Sequence, residues 1–448
     1  MLALGAAACA SILGIEDGKL DPNAVDGGIQ ICTADSGVQV DTSKGVFVSV
    51  EVGEDSDSCG ADFAPCKTIK TALTALTSGK SIIYLATSRH TENTYNESVT
   101  LPSNVELQGG WTILGSPSGG YQWQQVCQDQ LGNREQIANI IGTDNFTVRA
   151  QTGSVALTNL YIGSRAAKPG ESMIGILASG QDTSVTLTHV LVDTAQGGNG
   201  AIGTTGDTGD DAPDGSACAF GNGMTPDPGD AGTAAGPTTY SDDGVHPAQA
   251  TGGAAGQTGG NGTRPEDADA GCFSYVNCGL GSIGCSSAST SACGVTGSAG
   301  CGGSAGAGGG PGQSGGSSVG VFAADGATIV VALGGITVHG GGKGGNGGPG
   351  GAGGKGALGA SGKNGDAVHR TCGDCNVPEV TESPKGTAGT QGASGSAGGT
   401  GGGGAGGDSF AFVNLDASIS YDASIDHGKP GDPGLPLGAG GQAKDIGP

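Results

Sequence analysis

One short pattern of alternating apolar and polar positions recurs along the chain. Phe146-Thr147-Val148 is followed by Ser154-Val155-Ala156-Leu157-Thr158 and Leu160-Tyr161-Ile162. Ile174-Gly175-Ile176-Leu177 is followed by Ser184-Val185-Thr186-Leu187-Thr188 and Val190-Leu191-Val192. Val319-Gly320-Val321-Phe322 precedes Thr328-Ile329-Val330-Val331-Ala332 and Ile336-Thr337-Val338, and Phe410-Ala411-Phe412-Val413 precedes Ala417-Ser418-Ile419-Ser420 and Ser424-Ile425-Asp426. Each block predicts one strand, a polar corner and two further strands. Repeated blocks of this kind suit stacked β-coils, in which each unit buries its apolar face on the next. A β-sandwich would produce similar strands.

The stretch before these blocks reads as ordinary globular sequence. Val46 to Val50 alternates like a strand, Cys59 to Pro65 is a loop, and Lys67 to Thr77 places Ile69, Ala72, Leu73 and Leu76 on one helical face until Gly79 stops it. Strands follow at Ile82 to Ala86, Ser98 to Leu101 and Val105 to Leu107, before Gly109-Gly110-Trp111. This order, carried by APCKTIKTALTAL, SIIYLA and YNESVTLPSNVELQGGW, resembles the opening of pectin-lyase-like, right-handed β-helix proteins. The resemblance implies an all-β parallel coil whose N-terminal end is plugged by the short helix, because an open coil end exposes core and strand edge.

Between the blocks, glycine occupies every third position: from 294 to 315, from 341 to 365 and from 386 to 407, with shorter runs at 197–209 and 253–262. A three-residue repeat matches an extended left-handed helix rising ~3.1 Å per residue, which lines all the glycines along one edge. Without Cβ atoms there, neighbouring backbones can approach and bond. Collagen would need more proline than this chain carries. The reading preferred is a bundle similar to the polyglycine-II-like helices of some phage tail-tip adhesins and of snow-flea antifreeze proteins. A flexible linker has the same composition. The layout suggests hairpins: out after His339, a turn with Cys372 and Cys375, and back to Phe410; and out from Gly197, a Cys-rich tip, and back along 294–315.

Composition narrows the function. The chain has 96 Gly among 448 residues and a net charge of −24. That charge argues against nucleic acid as a partner, since phosphate binding needs clustered Lys and Arg. Ala6-Ala7-Ala8-Cys9 after a short apolar run resembles a bacterial lipoprotein signal, with Cys9 as the lipid anchor. More loosely, the whole chain resembles Gly-rich, Cys-rich surface lipoproteins of Gram-negative bacteria. Without Cys9, twelve of the 13 cysteines remain, in groups of four, six and two, as local disulfides in an oxidising compartment would require. Close neighbours are the candidate pairs: Cys59 with Cys66, and Cys372 with Cys375.

Motifs for chemistry are few, and no cofactor is read. Asp210-Asp211 echoes a carboxylate pair, yet the partner motifs of β-helix galacturonases are absent. Asp207, Asp210, Asp211 and Asp214 could hold Ca²⁺ weakly or form a solvated turn. Gly312-Gln313-Ser314-Gly315-Gly316 matches a nucleophile elbow only formally, because no strand precedes it. Ser78-Gly79-Lys80-Ser81 lacks the first glycine of a phosphate loop. His339 and His427 sit where strands run into glycine segments, as a paired site or as strand-end polar residues. Trp111, Tyr121 and Trp123 either stack on sugars or pack on the coil.

The resulting division is a signal at 1–9, a tether at 10–45, a capped β-helix at 46–196, a Gly/Cys-rich insertion at 197–316, a coil at 317–340, a second insertion at 341–407, a further coil at 408–427 and a Gly/Pro tail at 428–448. The function expected is a non-enzymatic, lipid-anchored cell-surface protein, in the outer membrane, that presents Gly-rich loops to a polysaccharide or protein ligand. The alternatives are a polysaccharide lyase or hydrolase on the same coil, and ice or matrix binding by flat glycine arms.

Overall fold

The computed structural model describes residues 39–77, 79–87, 94–116, 120–126, 137–215, 218–264, 295–363, 368–369, 380–381, 387–436 and 438–447. Cys9, most of the proposed tether, Cys372 and Cys375 lie outside these residues. The chain is nearly all-β. Its early strands are β1 (Gly45–Val48), β2 (Ile82–Thr87), β3 (Thr94–Asn96), β4 (Val99–Leu101), β5 (Val105–Ser116), β6 (Gly120–Gln125) and β7 (Ala138–Gly142). Then come β8 (Phe146–Ala150), β9 (Ser154–Ser164), β10 (Met173–Ser179), β11 (Ser184–Thr194), β12 (Thr239–Ser241) and β13 (Gly244–His246). The last are β14 (Ser318–Ala324), β15 (Thr328–Val338), β16 (Val368–His369), β17 (Val380–Thr381), β18 (Ser409–Leu415), β19 (Ser418–His427) and β20 (Ala443–Gly447).

Two ladders dominate, ordered β1-β2-β5-β9-β11-β15-β19 and β20-β18-β14-β10-β8-β4. Every pairing along both is parallel. The chain passes from one sheet to the other and returns one strand further along, an arrangement compatible with a parallel β-helix. Identical columns of apolar residues fill the space between. Val155, Val185, Ile329 and Ile419 stack in register, as do Ile162, Val192, Ile336 and Ile425. The one described α-helix, α1 (Ile69–Thr74), buries Ile69 and Ala72. It is shorter than the apolar periodicity predicts, because the Ala75 N–H bonds back to both Thr71 and Ala72 and tightens the last turn. Asp55 accepts from the Lys67 and Thr68 N–H groups, and Glu97 from those of Ile69 and Lys70, so the helix start is satisfied by carboxylates.

The two strands predicted after each corner are one long strand with a bend. Asn159, His189 and Leu333 take φ of 55°, 52° and 55° at neighbouring positions on β9, β11 and β15, and Gly110 takes 78° on β5. This left-handed column turns the sheet without ending it. Asparagine tolerates that conformation, whereas leucine pays about 1–2 kcal/mol for it. Leu333 is 60% exposed, so little packing offsets the strain.

The glycine segments are ordered arms that bond to one another. They run at 197–212, 229–236, 251–264, 295–316, 341–363, 387–407 and 428–436, first to seventh. The first insertion therefore makes two round trips, where the sequence suggested one. The fifth arm donates to the fourth from Gly342 N–H on Gly316 to Lys363 N–H on Val295, antiparallel and without a slip. The fourth donates to the sixth from Gly297 on Thr387 to Gly315 on Ala405, parallel. The sixth donates to the fifth from Gly389 on Ala360 to Gly407 on Gly342. These three arms form a closed triangle, around which the others pack. At ~3.1 Å per residue, an arm of this length spans roughly 65 Å.

The glycines mark where neighbours lie. In the fifth arm, a Cβ on Gly341, Gly344, Gly347, Gly350, Gly353, Gly356 or Gly359 would stand 1.8–2.2 Å from a sixth-arm carbonyl oxygen. On Gly342, Gly345, Gly348, Gly351 and Gly354 it would stand 1.8–2.1 Å from a first-arm carbonyl oxygen. That second row continues as Ala357 and Ala360, past the last first-arm bond from Ala212 N–H to Lys355. The third row, Lys343, Asn346, Pro349, Ala352, Lys355 and Leu358, faces outward and is exposed. The sixth arm follows the same rule: Gly399 and Gly402 stand against the second arm, and Gly403 and Gly406 against the seventh. Ala305, in one row with Gly302 and Gly308 against the third arm, departs from it, and nothing in the structure explains why.

Two predictions follow from this geometry. Gly350→Ala would push a methyl group to 2.0 Å from the Gly398 oxygen; it should lower stability by about 1–3 kcal/mol or more. Gly440→Ala, with open space at its Cβ, should be neutral within about 1 kcal/mol. Paired thermal melts read the contrast, and equal melts would contradict the close approach. Leu333→Gly should raise stability by about 1 kcal/mol in the same assay.

Candidate functional site

A groove of about 340 Å³ opens where the long sheet meets the arms, lined by Ile141, Tyr161, Ser164, Asp193, Ala195, Gln196 and His339. The fold assembles it from sequence-distant parts. Tyr161 lies on β9 in register with Leu191 of β11, and Asp193 follows two residues later, opposite Thr337. His339 is the first residue beyond β15. Asp193 is the hub: Tyr161 Oη donates to its Oδ2, and His339 Nε2 lies 2.9 Å from its Oδ1. An ionised carboxylate can only accept, so the imidazole presents an N–H at Nε2, and in the neutral ring Nδ1 is then the acceptor. The imidazole is 55% exposed and the carboxylate 27%. The Ser164 Oγ accepts from the Ala195 N–H at 2.7 Å.

His339 and His427 each engage their own carboxylate: His427 lies 3.4 Å from Asp445 on β20. No contact joins the two histidines among those seen in the described residues. Tyr161 and Asp193 carry no motif, and only the register of β9 on β11 brings them within reach of His339. The strand-end position of His339 was the single signal in the sequence.

The other candidates resolve into structure. Trp111 is 1% exposed and Trp123 9%, and both pack with Phe47 and Tyr84 under the β5–β6 hairpin. Asp207, Asp210 and Asp211 lie exposed along the first arm, where Asp211 accepts from the Lys355 N–H. Among the described residues no three His, Cys, Asp or Glu side chains gather as a metal site. Ser314 of the fourth arm donates to the Ala248 carbonyl ahead of the third arm, and Lys80 Nζ to the Gly45 carbonyl at 2.6 Å. The Ser241, Asp243 and His246 side chains touch on an exposed turn. There, Ser241 Oγ at 2.5 Å and Asp243 Oδ1 at 2.9 Å both meet Nε2, so the ring cannot relay a proton between them.

Two disulfides are present among the described residues. Cys59–Cys66 joins the pair chosen from the sequence, and Cys218–Cys301 ties the connection between the first and second arms to the fourth arm. At the opposite end of the arms, the β12–β13 hairpin docks on the outer face of the second sheet. Its Tyr240 packs against Phe322 and Phe410 and donates to Asp408.

Comparison of the chain with protein-family models, with curated proteins and with solved structures returns no match. The fold itself defines the class: a nearly all-β protein of parallel sheets carrying a hydrogen-bonded glycine bundle.

Burial pushes the Asp408 carboxyl above its ordinary range, against the opposing hydrogen bonds from Tyr240 and Gln442. Between the ordinary and the raised value the folded state thus holds a proton that the unfolded chain has released. Stability from this group is complete below the ordinary carboxylate range and falls as pH rises through the raised value. Asp408→Asn should flatten that fall in melting temperatures measured from acid to neutral pH. An unchanged slope would remove Asp408 from the account.

Proposed function

We propose that the chain is a non-enzymatic, exported surface protein, anchored through lipid on Cys9. In this reading a right-handed parallel β-helix, plugged by α1, serves as the base. A polyglycine-II-like bundle serves as a rigid arm that presents its far end to a polysaccharide or protein ligand. One observation carries the reading. The arms leave at the C-terminal ends of the long-sheet strands, return to the starts of second-sheet strands, and bond into one body. Large apolar side chains are exposed at its far end: Phe220 at 43%, Met224 at 65%, Val295 at 61% and Leu358 at 65%. Phe220, Met224 and Leu358 lie near one level, because Gly221 bonds to Gly262, Gly262 to Gly300 and Ala357 to Cys301, while Val295 lies further out, opposite Lys363. Exposed apolar groups on a stiff support are a common mark of interaction surfaces.

The groove supports the same side of the argument. Glycoside hydrolysis uses two carboxyl groups flanking the bond. The groove lining contributes Asp193 as its single carboxylate, already engaged by Tyr161 and His339.

The test is capture of the full chain on an array of polysaccharides and matrix proteins. Binding should fall at least tenfold in a Phe220→Ser, Met224→Ser, Leu358→Ser variant and persist in Asp193→Asn. Loss in Asp193→Asn alone, or turnover of any polysaccharide on the array, would favour the enzyme reading instead.

A further inference from the structure

The two ends of the long sheet are finished differently. The outer edge of β1 is taken: Phe47 N–H bonds to the Gly60 carbonyl at 3.1 Å, Cys66 N–H to Phe47 at 2.9 Å, and Ser49 N–H to Cys66 at 2.9 Å. At the other end β19 pairs with β15 alone, and no described strand lies beyond it. The bonds at its two ends, Ser418 N–H to Ala327 and Gly428 N–H to Val338, also point back into the sheet.

The core is open at that end too. Ile329 and Ile336 are 0% and 1% exposed, yet Ile419 and Ile425, one strand along in the same columns, are only partly buried. Tyr421 packs against Phe412 with tilted rings whose centroids lie 4.9 Å apart, and is still 41% exposed. The left-handed column of Gly110, Asn159, His189 and Leu333 stops short of β19, where no residue has positive φ. The ten residues of β19 therefore follow β15 past its bulge at Leu333, with one edge to which no described strand is bonded and a half-covered apolar row of Ile419, Tyr421, Ala423 and Ile425. Natural sheets bend, shorten or cover such an edge unless something pairs with it.

We propose that β19 pairs with β19 of a second copy of this chain, antiparallel, across a twofold axis at Ala423. Head-to-tail stacking is blocked because the β1 edge is already bonded, which leaves an isologous contact. Matching the apolar rows of both copies allows two central registers. One sets Asp422 against Asp422, and like charges directly opposite destabilise a sheet. The other sets Ala423 on the axis, with Tyr421 opposite Ile425, Ser424 opposite Asp422 and Ser420 opposite Asp426. The second register is the one assigned. Antiparallel pairing also sends the two bundles in opposite directions, since both leave from the C-terminal ends of strands.

Light scattering on the full chain should give twice the 42.7 kDa chain mass. Ile425→Lys should return it to a monomer with an unchanged circular dichroism spectrum. Under oxidation, Ala423→Cys should yield a 423–423 link by peptide mapping, and Ser420→Cys should yield no 420–420 link. If Ile425→Lys misfolds, the cysteine pair decides. A monomer at every concentration, a dimer indifferent to Ile425→Lys, or equal linking at 420 and 423 would overturn the proposal.

Discussion

The approach of one backbone to another, close enough for N–H to meet C=O on several sides at once, is the constraint on which the arms depend. An apolar core needs side chains, whereas this contact needs their absence. A methyl group in the central rows would stand about 2 Å from a carbonyl oxygen, and real Cβ atoms do not approach so near. Glycine here does not serve turns or left-handed backbone. The rows of the central arms show no left-handed φ at all, and the positive-φ glycines lie elsewhere, at corners and turns such as Gly153 and Gly326. The entropy lost in fixing so many glycines is large. It is opposed by a backbone whose polar groups are satisfied bond after bond, in both parallel and antiparallel pairings.

The β-sheets make that bundle possible by giving it an origin. Three strands of the long sheet, β11, β15 and β19, stand side by side and end at the same edge. Arms leaving from them start already aligned, at nearly strand-to-strand spacing. Their returns enter β14, β18 and β20, which are likewise neighbours. The loop-closure cost of each excursion is thus shared with the sheet, which orders both ends. At the far end the Cys218–Cys301 bond, with a sequence separation of 83, does the same work covalently. In the chain-entropy account a loop of this size is worth on the order of 4–5 kcal/mol.

Much of this was legible in the sequence, and the reasons are local. Period-two alternation at Val155, Leu157, Val185 and Leu187 marked the strands, and the three-residue register of glycine marked the arms. Cys59 and Cys66 were near enough in sequence to be paired. The bends at Asn159, His189 and Leu333 were misread as breaks, because a single left-handed residue interrupts the alternation without ending the ladder. The second round trip of the first insertion was missed because the second arm is short, with Gly229 and Gly232 as its only in-register glycines before Ala235. The Tyr161–Asp193–His339 groove was out of reach, since its members meet only through strand register.

The row rule carries one step more. An arm with one glycine row has a carbonyl pressed against one face, and an arm with two has them against two. The fifth arm drops its second row, at Ala357, where the first arm's bonding ends. The sixth gains extra glycines at 399, 402, 403 and 406, where the second and seventh arms arrive. Glycine spacing therefore records the length of each neighbour as well as its existence. The exposed row carries Lys343, Asn346, Pro349 and Lys355, where a side chain has room, and Asn346 uses it to accept from the Leu435 N–H of the seventh arm. In the fifth and sixth arms each of these glycine rows is occupied by a carbonyl of the same chain. In these two arms the backbone code is thus closed within one molecule, and what their outward row offers a partner is its side chains.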